Sequence, residues 1–195
     1  MTDTGPEWGL ALDLGDHWYP LPLDRDPAEF GAHVAEALVA DAEAVNGAPM
    51  TPEVAEAIAE EFTVLTGNAQ RTGAFATSLY RPLYDAPSVA VLEAHVNAGD
   101  PGTPIRTWVE RAHGDLGVNH ELSNVVLPVG GAVRLWQLSG DSAPGGDAVL
   151  VETVAHFFEA PGGDIVRLAL SWTAPAFSQE LRELADSIAQ DVAFQ

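Results

Sequence analysis

The last third of the chain alternates between apolar runs and turn residues. Residues 125–138 form one run, interrupted at Pro128 and at Gly130-Gly131; residues 148–158 and 165–173 form two more, joined by Glu159-Ala160-Pro161-Gly162-Gly163-Asp164. Valine, threonine and aromatic residues dominate these runs, as strands prefer. The Pro-Gly-Gly-Asp stretch offers the fixed φ of proline and the positive φ of glycine that a turn uses. The pattern predicts an antiparallel hairpin of residues 148–158 with residues 165–172. Both faces of its first strand are apolar, Val149, Val151 and Phe157 on one and Leu150, Val154 and Phe158 on the other. Such a strand needs a layer above and a layer below the sheet. One layer is the closing segment, where Phe177, Leu181, Leu184, Ile188 and Val192 recur every three or four residues after Pro175. That spacing makes one apolar helical stripe.

The first half carries different periods. Residues 1–16 read as a loose or short edge segment, and residues 17–195 as a single domain. HWYPLPL, residues 17–23, reads as a strand whose prolines confine it to an edge. Asp26-Pro27 opens a helix with stripe Phe30, Val34, Ala37, Leu38 and Val45, stopped at Asn46-Gly47. Thr51-Pro52-Glu53 opens a second, with Val54, Ile58, Phe62 and Leu65 inward and an end at Thr66-Gly67-Asn68. Residues 73–83 and 88–98 read as strands, and Thr103-Pro104 begins a short helix through Trp108 to Gly114. The expected order is strand, two helices, two strands, short helix, four strands, long helix. The fold class is α+β, with a twisted antiparallel sheet of six or seven strands sandwiched between helices.

Three runs carry a family resemblance: LPVGGAVRLWQL at 127–138, VLVETVAHFFEAPGGDIVRLALSWTAP at 149–175, and ELRELADSIAQDV at 180–192. Together they resemble the C-terminal half of the actinobacterial LpqN-like proteins, within the wider Mog1/PsbP-like fold. The first half is similar only in the order of its elements. The resemblance implies a helix-sandwiched sheet and a binding or scaffold role rather than a defined reaction. The chain departs from the family in having no lipobox, since it has no cysteine.

Charge changes the functional picture. Twenty-nine acidic residues face eight basic ones, all arginine, for a formal charge of −21. Nucleic-acid binding needs a basic stripe to replace phosphate counterions, and anionic membranes need the same sign. Both partners are therefore excluded from the expectation; the charge reads as solubility through self-repulsion, and the sharper alternative is a basic partner protein or mimicry of nucleic acid. Residues 1–16 lack a basic n-region and an apolar h-region, and no apolar run reaches the roughly 18 residues of a membrane span. A cytoplasmic location is expected. The absence of lysine, with abundant alanine, glycine, proline and valine, suggests a GC-rich actinobacterial source.

Two residue sets are candidates for function. Residues 26–70 contain no arginine, and their acidic positions include Glu53, Glu56, Glu60 and Glu61. These four are a candidate docking set for a basic partner; the alternative is a solvated helix face. On the first strand of the closing hairpin, Glu152 and His156 share a face, and pairing of Phe158 near Ile165 would bring Arg167 beside them. Glu152, His156 and Arg167 are a candidate ligand patch, or else an internally satisfied polar group. Trp8, Trp18 and Trp108 are either partner anchors or packing residues. The six histidines show no metal-ligand spacing, and no nucleophile elbow, P-loop or dinucleotide fingerprint occurs. No catalytic, cofactor-binding or metal residue is assigned, and no cofactor is expected.

The expected function is a non-enzymatic, soluble interaction module, serving as an adaptor, chaperone-like factor or secretion-system accessory. A small-molecule-binding protein or minor enzyme, with a pocket between sheet and helix, is the second reading. An acidic inhibitor or immunity protein acting on a basic effector is the third.

Overall fold

The computed structural model describes residues 8–46, 50–82, 88–114, 119–142 and 148–195. The expected turn at Gly47, the Gly145-Gly146 connection and residues 83–87 lie outside the described residues, as do the side chains of Asp41, Glu43 and Val45. The elements in chain order are β1 (Leu10–Ala11), β2 (Trp18–Pro20), α1 (Pro27–Asn46), α2 (Pro52–Thr72), β3 (Ala76–Tyr80), β4 (Ala90–Asn97), α3 (Ile105–Ala112), β5 (His120–Leu127), β6 (Gly130–Ser142), β7 (Ala148–Glu159), β8 (Ile165–Trp172), α4 (Ser178–Gln190) and β9 (Ala193–Phe194). A 3-10 turn, Pro175–Phe177, precedes α4. The class is α+β: a seven-stranded sheet ordered β2-β3-β4-β8-β7-β6-β5, and a two-stranded ladder of β1 with β9. Two compact units are present, Asp16–Glu93 and Ala94–Gln195 with the segment before Asp16.

In the unit Asp16–Glu93, the Asp26 carboxylate accepts the N–H groups of Ala28 and Glu29 at 2.9 and 3.0 Å, which caps α1. Leu21, Ala35, Leu38, Ile58, Phe62 and Leu79 form its core. The buried stripe of α1 runs through Gly31, Ala35 and Leu38, and Ala37 is exposed. A Cβ at Gly31 would collide with the Ala59 carbonyl and the Thr63 hydroxyl, so glycine sets how closely α1 and α2 approach. Helix α2 does not stop at Gly67. It continues to Thr72 and ends at Gly73 in the left-handed region, φ 73°. Thr66 and Ala69 are fully buried, and that packing outweighs the roughly 1 kcal/mol cost of an internal glycine.

In the other unit, β5 to β8 form a meander. A two-residue turn joins Leu127 to Gly130, and Gly130 takes φ 128°. The β7–β8 hairpin closes on the Ala160 N–H to Asp164 carbonyl bond at 2.8 Å. Helices cover both faces. Val109 of α3, with Trp108 and Ile105, packs on Val133, Leu135, Ala155 and Phe157. On α4 the inward residues Leu181, Ala185, Ile188 and Ala189 are buried, whereas Phe177, expected on the stripe, is 46% exposed.

The expectation that β7 is buried on both faces holds for Val154–Phe158 and fails at its start. Val149 and Leu150 are 39% and 60% exposed. The neighbouring ladders end too early to cover them, β8 at Trp172↔Glu152 and β5 at His120↔Gln137.

Candidate functional site

Register decides which side chains meet. Glu159 pairs with Ile165, Phe157 with Arg167 and His156 with Leu168. The pairing is one residue away from the one that would join His156 to Arg167. A one-residue shift exchanges faces, so Arg167 lies on the α3 face and Glu152 and His156 on the α4 face. The expected three-residue patch is therefore not assembled. Arg167 instead lies near His113, whose pKa is lowered below 6.5 by burial and by the Arg167 charge.

Glu152 and His156 join a larger polar group. Glu152 Oε1 accepts the Trp136 indole N–H at 2.6 Å, and Oε2 accepts the Ser178 hydroxyl at 2.6 Å and the Trp172 indole N–H at 3.2 Å. Arg182 completes the set with an ion pair to Oε1, its guanidinium 4.5 Å from the Trp136 ring centre. Four residues along β7, His156 Nε2 meets Asp186 Oδ1 at 3.1 Å, and Arg134 Nε donates to the same oxygen at 2.7 Å. Glu152 and His156 are 6% and 3% exposed.

Element geometry explains the match. Glu152 and His156 are four strand residues apart, about 13 Å at 3.3 Å per residue. Ser178 and Asp186 are eight helical residues apart, about 12 Å at 1.5 Å per residue. Helix α4 runs along β7, so its positions 178, 182 and 186 fall over strand positions 152 and 156.

The electrostatics follow from these contacts. Burial raises the Glu152 pKa, but the hydrogen bonds from Ser178, Trp136 and Arg182 and the Arg182 charge outweigh it, so the net value falls below 4.5. Burial likewise raises Asp186, and His156 and Arg134 bring it below 3.8. Both carboxylates are held ionised near neutrality. Sequence reasoning missed Arg134, Trp136, Trp172, Ser178, Arg182 and Asp186 as members of this group. The available signal was the i, i+4, i+8 spacing of Ser178, Arg182 and Asp186.

No protein-family model matches the chain, and no curated protein matches it. Among solved structures, it is similar to the crystal structure of LpqN involved in cell envelope biogenesis of Mycobacterium tuberculosis. The TM-score is 0.49 at 13% identity, covering 100% of this chain and 87% of that one.

The docking candidates separate into two kinds. Glu53, Glu56 and Glu60 are exposed on α2. Glu61 turns inward: its carboxylate accepts from Arg81 Nη1 at 2.7 Å and from the Ser88 N–H at 2.7 Å. Arg81 is 2% exposed, so Glu61 neutralises a buried cation. The tryptophans are all half-buried or better. Trp8 packs edge-on against Phe194, Trp18 against Tyr80 and Trp108 against Phe157. Among the described residues no group of three or more histidine, cysteine or acidic side chains is placed to hold a metal, and no helix is long and apolar enough to cross a membrane.

Proposed function

We propose that the chain is a non-enzymatic protein-interaction module whose acidic α2 face docks a basic partner protein, in an adaptor, chaperone-like or secretion-accessory role in the cytoplasm. The division of labour among the carboxylates carries this reading. Glu61, Glu152 and Asp186 are tied to donors within their own units, whereas Glu53, Glu56 and Glu60 stand exposed. Spacings of three and four place those three on one side of the helix. Residues 26–70 contain no arginine or lysine, so the sequence supplies no local counter-charge. A field of this kind steers and selects a basic partner, and salt weakens it.

The ligand-pocket reading has less support, because donors from four side chains already fill the Glu152 carboxylate. An acidic inhibitor is a special case of docking, distinguished by whether the captured protein loses its activity. The test is capture from a lysate of a GC-rich bacterium, at low and high salt, by the wild-type chain and by Glu53→Arg/Glu56→Arg/Glu60→Arg. The expected result is a basic protein, released by salt and lost in the triple variant, with the thermal midpoint little changed. Equal capture by both chains sinks the docking face. Glu61 stays unmutated because reversing it would set a cation against buried Arg81.

A further inference from the structure

The two edges of the seven-stranded sheet are built differently. Unpaired N–H and C=O groups on an edge invite another strand, and proteins blunt edges with short strands, proline, lysine or bulges. At one edge, β2 is three residues long and ends in Pro20. At the other, β5 runs for eight residues in unbroken register with β6, without proline, lysine or bulge. Its polarity is set by two contacts. The Leu138 N–H donates to the Asn119 carbonyl at 2.9 Å, so odd residues turn toward β6. Alternation turns the backbone groups of Leu122, Asn124 and Val126 outward. Gln190 Nε2 accordingly reaches the Val126 carbonyl from outside, at 3.3 Å. The Val126 side chain is 79% exposed.

We propose that this edge is a homodimer interface, at which β5 pairs antiparallel with β5 of a second copy. Only a strand can satisfy a row of alternating donors and acceptors, and the sequence of β5 complements itself. A two-fold axis at Asn124 sets outward groups against outward groups. Leu122 then faces Val126 of the second copy, Asn124 faces Asn124, Ser123 faces Val125 and Glu121 faces Leu127. The most exposed large apolar side chain among the described residues is covered by leucine, and no carboxylate opposes another. About six backbone hydrogen bonds form, two of them once the exposed Gln190 side chain swings off the Val126 carbonyl. In a chain of charge −21, β5 contains a single acid, Glu121. Long-range repulsion between copies is therefore not concentrated at the contact, and it is screened beyond about 8 Å at physiological salt. The dimer tightens as salt rises, opposite to the capture of a basic partner.

Sedimentation velocity of the full chain, over a range of concentrations at low and physiological salt, tests this. The expected mass moves from 20.6 kDa toward twice that value, further at the higher salt. Asn124→Pro removes an outward N–H and spares the ladder with β6. Val126→Lys places a charge at an already exposed edge position. Each should restore the 20.6 kDa species with an unchanged far-ultraviolet circular dichroism spectrum. Should Asn124→Pro fail to fold, Val126→Lys decides alone. A monomer at every concentration and salt overturns the proposal and leaves the edge to a strand of another protein. A dimer that persists in the folded variants overturns it too.

Discussion

Replacing Glu152 by glutamine removes one charge and keeps the side-chain shape. The carboxylate receives four donors, two of them indole N–H groups that cannot rotate to become acceptors. With its carbonyl oxygen toward Trp136 and Arg182, the new amide N–H group faces the Trp172 N–H and strands it. Flipped, it faces Trp136 and Arg182 instead. Either way one indole, the buried Trp172 or the half-buried Trp136, loses its acceptor, at about 1–3 kcal/mol. The remaining bonds fall from charge-assisted to neutral, roughly half their strength. The sum is about 2–4 kcal/mol, a large share of the 5–15 kcal/mol typical of whole proteins. For a chain of this length that lowers the thermal midpoint by roughly 5–15 °C. Urea unfolding followed by tryptophan fluorescence reads the change where it occurs, since Trp136 and Trp172 both touch the site. The midpoint should fall while the slope m stays constant. A loss below about 0.5 kcal/mol refutes the reasoning, because such a carboxylate would not be integral to packing. A gain in stability would mark a strained functional group and revive the ligand reading.

Two further outcomes are expected. Glu152, Asp186 and His113 all have lowered pKa values. Each therefore contributes stability above its ordinary value and loses it as pH falls through the folded one. Unfolding free energy should begin to fall below about pH 6.5, through His113, and more steeply below about pH 4.5; Glu152→Gln with Asp186→Asn should flatten only the second part, and a curve parallel to wild type there counts against the two carboxylates. At Gly99, an added Cβ would strike the Gly163 carbonyl, which is backbone and cannot swing aside. Gly99→Ala should cost about 1–3 kcal/mol of stability by overpacking, measured by urea unfolding, and a neutral result would mean that the β7–β8 turn yields.

Most elements were legible because local chemistry and period agreed. Asp26-Pro27, the Pro-Gly-Gly turn and the stripe of α4 each give a local signal, and the structure puts a cap, a hairpin and a helix at those places. The end of α2 was not legible, because Gly67 is a stop signal overridden by burial of Thr66 and Ala69. The polar group beneath α4 was half legible. Glu152 and His156 share a face under any pairing, since strand alternation alone places them there. Arg167 depended on whether Phe158 or Glu159 is the partner of Ile165, and five loop residues closed by Ala160 and Asp164 settle it only in three dimensions. Arg134, Trp136 and Trp172 come from other strands, and nothing local ties them to Glu152. Glu61 looks like its exposed neighbours in sequence; its inward role depends on Arg81, twenty residues away.

The paired contacts along α4 constrain where that helix can sit. Small and aliphatic residues such as Leu181, Ala185 and Ile188 offer similar surfaces after a slide of one turn, about 5.4 Å. Such a slide would carry Asp186 away from His156 and bring an unrelated side chain to Glu152. The ionic contacts thus act like two dowels, giving the layer a single seating even though buried ion pairs often add little net stability. Replacing Glu152, His156, Arg182 and Asp186 together by leucine or methionine should then broaden the methyl resonances of α4 and β7, with a loss of unfolding free energy because the Trp136 and Trp172 N–H groups and Arg134 lose their acceptors. Sharp, singly populated resonances in that variant would show that shape alone seats the helix.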